Sequence, residues 1–374
     1  MQLKIKFLKW SAGIPVAMLN EKTAEKMGAH ILDRILIKKG SKEIVTIVDT
    51  IGNLVKENEI VVSSEIKKIL SLNSGDKLEV SIASPPKSVN FIKDKLINKT
   101  LSKNQINKII QDILDNSLSE SEIAMFISAT YKNGMNFQET IFLIEAFSRT
   151  GNKLKFKEKF VTDKHSIGGI AGNRTTPIVV SICAAAGLVF PKSSSRAITS
   201  AAGTADVIET LANVDFSVNE IKHIVKKTNA CLVWGGAMGM VPADEKIIKI
   251  EKQLIIDSEP LLLSSIMSKK LAVGSKYILI DIPYGKNAKV NLSKALKLKQ
   301  KFKKIGKYFK KKLEVVLTKG GQPIGNGIGP VLEMIDVLKI LDQNQQGPKD
   351  LEKKSIFLAG KLLEMTGKAK TGSG

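Results

Sequence analysis

The chain has 374 residues, 43% hydrophobic and 25% charged, and a formal net charge of +22 from 58 basic and 36 acidic side chains. That length suffices for two or three domains with buried cores, and the composition excludes collagen-like, mucin-like and other low-complexity classes. No apolar run reaches the roughly 18 residues that a membrane span needs, and Cys183 and Cys231, without C-x-x-C spacing, build neither a disulfide framework nor a thiolate zinc site.

Met1 to Trp10 alternates lysines with apolar residues, which predicts a strand and not a signal peptide, so the expected location is the cytoplasm. Residues 1–84 contain a repeat: LNEKTAEKMGAHILDRILI (Leu19 to Ile37) aligns with VSSEIKKILSLNSGDKLEV (Val62 to Val80). Each copy opens with a small polar cap, runs two helical turns, then turns at Asp33 or Asp76 into an alternating strand. This predicts a pseudo-symmetric small β-barrel, similar to the double-psi barrels. Pro85-Pro86 then breaks the chain as a linker. From Val89 to Arg149 the spacing is helical, with starts at Ser102, Ser119-x-x-Glu122 and Asn136 and stops at Gly134 and Gly151.

After Phe160 short β-branched runs alternate with glycine-rich turns and helices, which predicts an α/β region around a mainly parallel sheet. A helical stretch from about Asp244 to Ala272 interrupts the alternation, with Pro260 expected to restart it at the first helical position. Ten lysines between Lys294 and Lys312 surround Leu296, Leu298, Phe302, Ile305 and Phe309 at near-helical spacing. The stretch reads as an amphipathic helix with a solvated basic face and not as a nucleic-acid surface.

Two clusters fit an anion. Asp163-Lys164-His165-Ser166 leads through Gly168, Gly169 and Gly172 to Arg174-Thr175-Thr176, a strand end and glycine turn opening a helix. Lys192 to Asp206 places six hydroxyls and Arg196 within twelve positions beside Gly203. Gly325 to Gly329 lacks dinucleotide spacing and reads as a turn before a helix. His30 and His223 have no partner spacing and read as surface residues.

KHS followed by Gly168-Gly169, together with SSRAITSAAGTADVIE (Ser194 to Glu209), resembles the pyrimidine-nucleoside phosphorylase family that includes thymidine phosphorylase. AGNRTT and the preceding barrel resemble its archaeal AMP phosphorylase branch. The resemblance covers the whole chain. It implies an α/β fold with an N-terminal barrel-like domain (1–84), a helical lobe (85–145 plus 242–272) and a mainly parallel α/β lobe (146–241 plus 273–374), with the active-site cleft between the lobes. It implies phosphate held by Lys164, Ser166, Ser194 and Thr204, with Thr175 or Thr176 as an addition. Gly169, Ser195, Arg196, Ala197, Ile198, Thr199, Ser200, Thr204, Ser265 and Lys289 would hold the nucleotide, and Asp257 would be the proton donor, protonated through burial. The implied reaction is AMP and phosphate giving adenine and ribose 1,5-bisphosphate, by a homo-oligomer with no metal or other cofactor and no nucleic-acid or membrane partner.

Where thymidine enzymes carry Tyr and Arg for the pyrimidine, this chain has Ile247 and Ile250, which disfavours a pyrimidine substrate. Family members usually continue beyond the point where this chain ends in GKAKTGSG, so a truncated chain is expected. The alternatives are a thymidine or pyrimidine nucleoside phosphorylase, an anthranilate phosphoribosyltransferase-like enzyme, and a basic nucleic-acid-binding protein. The second would carry a G-T-G-G-D turn where this chain has KHSIGG.

Overall fold

A computed structural model describes residues 1–8, 10–197 and 201–370. They form two compact units, Met1–Asn133 and Gly134–Gly374.

In the first unit, β1 (Gln2–Lys6), β2 (Val16–Leu19), α1 (Glu21–Met27), β3 (Arg34–Lys39), β4 (Lys42–Thr50), β5 (Glu59–Val62), α2 (Ser64–Leu70) and β6 (Lys77–Ile82) make a closed barrel in the order β1-β5-β2-β4-β3-β6. Alternate residues point inward, as a period of two requires. Leu3 and Ile5, Ala17 and Leu19, Ile35 and Ile37, and Leu78 and Val80 therefore share one core.

The sequence repeat has a physical basis. Asn20 caps α1 through its side chain, Gly28 ends it at positive φ, and His30 donates its N–H to Asp33 at 2.8 Å. Ser63 precedes α2, Ser71 ends it at positive φ, and Asn73 donates its N–H to Asp76 at 2.7 Å. In both copies the aspartate closes the turn that feeds the next strand. The ladder then interleaves the copies: β1 pairs with β5 and β6, β2 with β4 and β5, and β3 with β4 and β6.

Residues 83–87 lead to α3 (Ser88–Leu96), α4 (Lys103–Leu114) and α5 (Glu120–Asn133). Reciprocal capping hydrogen bonds start α4 at Ser102 and α5 at Ser119, where Glu122 and Ser119 bond each other's backbone.

The second unit opens with α6 (Phe137–Arg149), followed by β7 (Thr162–Ser166), α7 (Thr175–Ala185), β8 (Phe190–Ser194), α8 (Thr204–Glu209), α9 (Val218–Thr228) and β9 (Ala230–Trp234). Next come α10 (Pro242–Leu254), α11 (Glu259–Val273), β10 (Tyr277–Tyr284), α12 (Leu292–Tyr308), β11 (Lys312–Lys319), α13 (Pro330–Leu341) and α14 (Lys349–Thr366). The sheet order is β11-β10-β7, beside a β8-β9 pair, and every one of these ladders is parallel. β10 is buried on both faces because both are covered. Ile278, Ile280 and Ile282 pack with residues of α6, α11 and α12, while Leu279 packs with residues of α7 and α14.

The helical stretch 244–272 stops and restarts as the sequence suggests, with Ile255 at a left-handed φ of 54° ending α10. Two details need correction. Glu259, and not Pro260, is the first residue of α11, with Pro260 the second. In α12, Leu298, Phe302 and Ile305 are buried as expected, but Leu296 is exposed on the lysine side. Among the described residues no helix is long and apolar enough to cross a membrane.

The barrel core draws on residues 3–80 alone. A fragment of residues 1–84 should therefore show a cooperative thermal transition by circular dichroism. A fragment ending after β3 should show none, since every ladder partner of β1–β3 lies after Lys39.

Candidate active site

A cavity in the second unit lies at the carboxyl ends of β7 and β8 and beside α11, where ligands bind in parallel sheets. Among the described residues, Lys164, Arg174, Lys192, Arg196, Lys269 and Lys289 line it and no acidic residue does.

Lys164, near the end of β7, is buried and donates to the Thr175 hydroxyl at 2.6 Å. Burial pushes its amine down to about 7; Asp281 pulls it back up, while Lys354, Lys192 and Arg174 add to the depression. Asp281 is itself shared with Lys354 at 3.2 Å and Thr318 at 2.6 Å. Asp163 serves Lys270 at 2.8 Å and Lys192 at 3.5 Å. His165 is held well below the usual imidazole range, first by burial and then by Lys270 and its cationic neighbours. It is therefore neutral at physiological pH.

The hydroxyls are arranged to donate. Lys164 donates to Thr175, Arg174 to Thr204 at 2.8 Å, and Asn173 to Ser166 at 3.3 Å. A hydroxyl that accepts from nitrogen keeps its own hydrogen for another partner. The Ser194 hydroxyl is buried and has no hydrogen-bond partner among the described residues. Between these elements the glycine turn has Gly168 and Gly169 at φ of 86° and 89°. A Cβ on Gly169 would lie 2.7 Å from Cβ of Lys289, so only glycine allows this approach.

The cavity brings together Lys164, Ser166, Gly169, Ser194, Ser195, Arg196, Thr204, Ser265 and Lys289 from the sequence expectation, together with Thr176. Thr175 is reached through Lys164. Ala197 is not among the lining residues; its N–H donates to Asp206 at 2.7 Å. Ile198, Thr199 and Ser200 lie outside the described residues. Arg196 lines the cavity, but its guanidinium is taken by Glu209 and by Asp206, and it stacks 4.6 Å from the Trp234 ring.

Asp257 lies in the link between α10 and α11 and not on a helical face with Ser265. It lines an adjoining cavity that shares Gly169 and Lys289 with the first. Its side chain is 45% exposed and pairs with Lys289 at 2.6 Å, so the burial expected from the sequence is absent. A half-buried acid stands nearby instead. Glu251, in the last turn of α10, accepts the N–H of Ser258, and its Oε1 has no hydrogen-bond partner among the described residues. Burial, reinforced by Asp244 and Asp257, pushes its carboxyl up to about 8.

Ser265 donates to Asp244 at 2.8 Å and accepts from Lys269 at 2.9 Å. Sequence reasoning passed over Asp244 and Glu251, and it placed Arg174 in the anion-fitting cluster without giving it a role. Ile247 and Ile250 are buried and line neither cavity.

Residues 158–372 match the a/b domain of a glycosyl transferase family, and residues 89–151 match the helical bundle domain of a glycosyl transferase family. The chain is 45% identical to AMP phosphorylase of Pyrococcus furiosus and 48% identical to that of Pyrococcus horikoshii, in each case over 100% of this chain and 74% of the relative. It is 41% identical to AMP phosphorylase of Methanococcus vannielii, with the same coverage. Among solved structures it resembles anthranilate phosphoribosyltransferase of Thermus thermophilus, with a TM-score of 0.61 at 14% identity, covering 75% of this chain and 90% of that one. At that identity the likeness speaks for the fold.

Glu251 generates a test of its own. An acid raised in the folded state destabilises the fold as pH climbs from its ordinary 4.5 to about 8, because the unfolded chain releases the proton first. Glu251→Gln should therefore melt higher than the parent by a margin that grows between pH 5 and pH 8. A constant margin across thermal melts at these pH values would contradict the assignment.

Proposed function

The chain belongs to the glycosyl transferase family and, within it, to the AMP phosphorylases, and from that membership we propose that it cleaves AMP with inorganic phosphate, yielding adenine and ribose 1,5-bisphosphate. The observation that carries this reading is the cavity lined by cations and hydroxyl donors with no lining acid among the described residues, which suits a phosphate dianion.

In this reading Lys164, Ser166, Ser194 and Thr204 hold phosphate, with Thr175 set against Lys164. Gly169, the segment Ser195 to Ser200, Ser265 and Lys289 contact the nucleotide. A phosphate oxygen attacks the anomeric carbon, and the C–N bond to adenine breaks with its electron pair going to the base. Positive charge building on the sugar is offset by the phosphate, and the side chains act by positioning. Asp257, which must first take up a proton from solvent once Lys289 leaves it, then passes that proton to a ring nitrogen of the departing base. Lys289 pairs with Asp257; a 5′-phosphoryl group that draws Lys289 away leaves Asp257 to the base. The nucleophile is the co-substrate phosphate, so the reaction calls on no metal or organic cofactor.

Ile247 and Ile250, expected from the sequence to disfavour a pyrimidine, are buried outside both cavities, so the choice of base rests on assay. Incubating the chain with phosphate and each of AMP, CMP, UMP and thymidine, then measuring released base, tests the substrate. AMP should be cleaved fastest, and faster cleavage of thymidine would overturn the nucleotide reading. Lys164→Ala should weaken phosphate use by orders of magnitude with the fold retained by circular dichroism.

Asp257→Asn keeps the side chain's shape and removes its proton. Turnover of AMP should fall by ~10²–10⁴-fold, the usual worth of general acid catalysis, while AMP binding persists. Normal turnover of AMP by that variant at neutral pH would move the acid elsewhere, with Glu251 the next residue to test.

A further inference from the structure

We propose that Arg174 is a positioning residue of the phosphate site: held by Glu333, its guanidinium orients the Thr204 hydroxyl so that the hydroxyl hydrogen faces the cavity. Arg174 stands immediately before α7. Its Nε donates to Glu333 at 2.7 Å, one terminal nitrogen donates to Thr204 at 2.8 Å, and the other donates to the Ala202 carbonyl at 2.9 Å. Both Arg174 and Glu333 are buried, and the second Glu333 oxygen accepts the Gly329 N–H at 3.1 Å.

A guanidinium offers only donors. The Thr204 oxygen must therefore accept, and its own hydrogen is left for a ligand. Glu333 neutralises the guanidinium, so Arg174 acts through Thr204 and does not compete with Lys164 for the anion. The planar fork spans the turn before α7, the entry to α8 and the start of α13, three segments that a lysine ammonium reaches less completely. The signal lay within the AGNRTT motif, but its partner is far away in sequence.

The inference rests on the reading that the cavity takes phosphate, and a double-mutant cycle tests it. Arg174→Gln, Arg174→Lys and Thr204→Val, with each arginine variant also combined with Thr204→Val, are compared by calorimetric titration with inorganic phosphate and by the KM for phosphate, the KM for AMP and kcat. Removing one charge-assisted donor should raise the dissociation constant for phosphate by about tenfold or more. Arg174→Lys should recover part of the loss. In the Thr204→Val background, Arg174→Gln should cost little more, because the hydroxyl it orients is gone.

Additive losses in the cycle would overturn the proposal, as would equal shifts in both KM values with a lowered melting point, the mark of a merely structural role. If Arg174→Gln does not fold, the Arg174→Lys arm of the same cycle decides by the same criterion. A parent chain that neither binds phosphate nor releases adenine would instead fail the reading beneath, independently of Arg174.

Discussion

Buried positive charge organises the second unit. Lys164, Arg174, Lys192 and Lys270 are almost completely removed from water around or beside one cavity, whereas the buried acids that face them are Asp163, Asp281 and Glu333. Asp281 is further divided with Lys354. Taking an ion out of water costs several kcal/mol even after relaxation, so such a cluster persists only where surrounding packing imposes it. The depressed amine of Lys164 records that imbalance directly. A phosphate dianion would supply the charge that the protein itself withholds.

The packing that imposes it comes from the sheet. β10 is covered on both faces by helices, which fixes the parallel neighbour β7 and so the place where Lys164 and Ser166 emerge. The glycine turn then runs against other backbone: a Cβ on Gly172 would sit 2.1 Å from the Ile324 carbonyl oxygen, as Gly169 sits against Lys289. The site thus depends on close backbone approach as much as on its polar side chains. The Ser166 and Thr204 oxygens accept from Asn173 and Arg174, which leaves their hydrogens for a ligand.

Much of this was legible in the sequence because the signals were local. The caps at Ser102, Ser119 and Asn136, the aspartate turns at Asp33 and Asp76, and the Lys164–Thr176 turn each lie within a short window. What escaped depended on partners brought together by folding. Arg174 finds Glu333 across 159 positions. Arg196 looked available for an anion, yet Asp206 and Glu209 on the following helix take its guanidinium. Asp257 was expected to be buried, but the left-handed turn at Ile255, itself 94% exposed, carries the link outward and leaves Glu251 beneath it. An isoleucine at positive φ carries no warning in the sequence, since the glycine that usually marks such a stop is absent.

The interleaving of the barrel bears on its ancestry. The first three strands pair exclusively with the last three, and the two sets carry the same helix, aspartate turn and strand. A polypeptide holding one copy would have no ladder partner within itself, yet two such polypeptides would satisfy each other's strands. The repeat therefore describes a symmetric dimer written into a single chain. Covalent fusion would have turned a concentration-dependent association into an intramolecular one, freeing each copy to diverge while the other preserved its register.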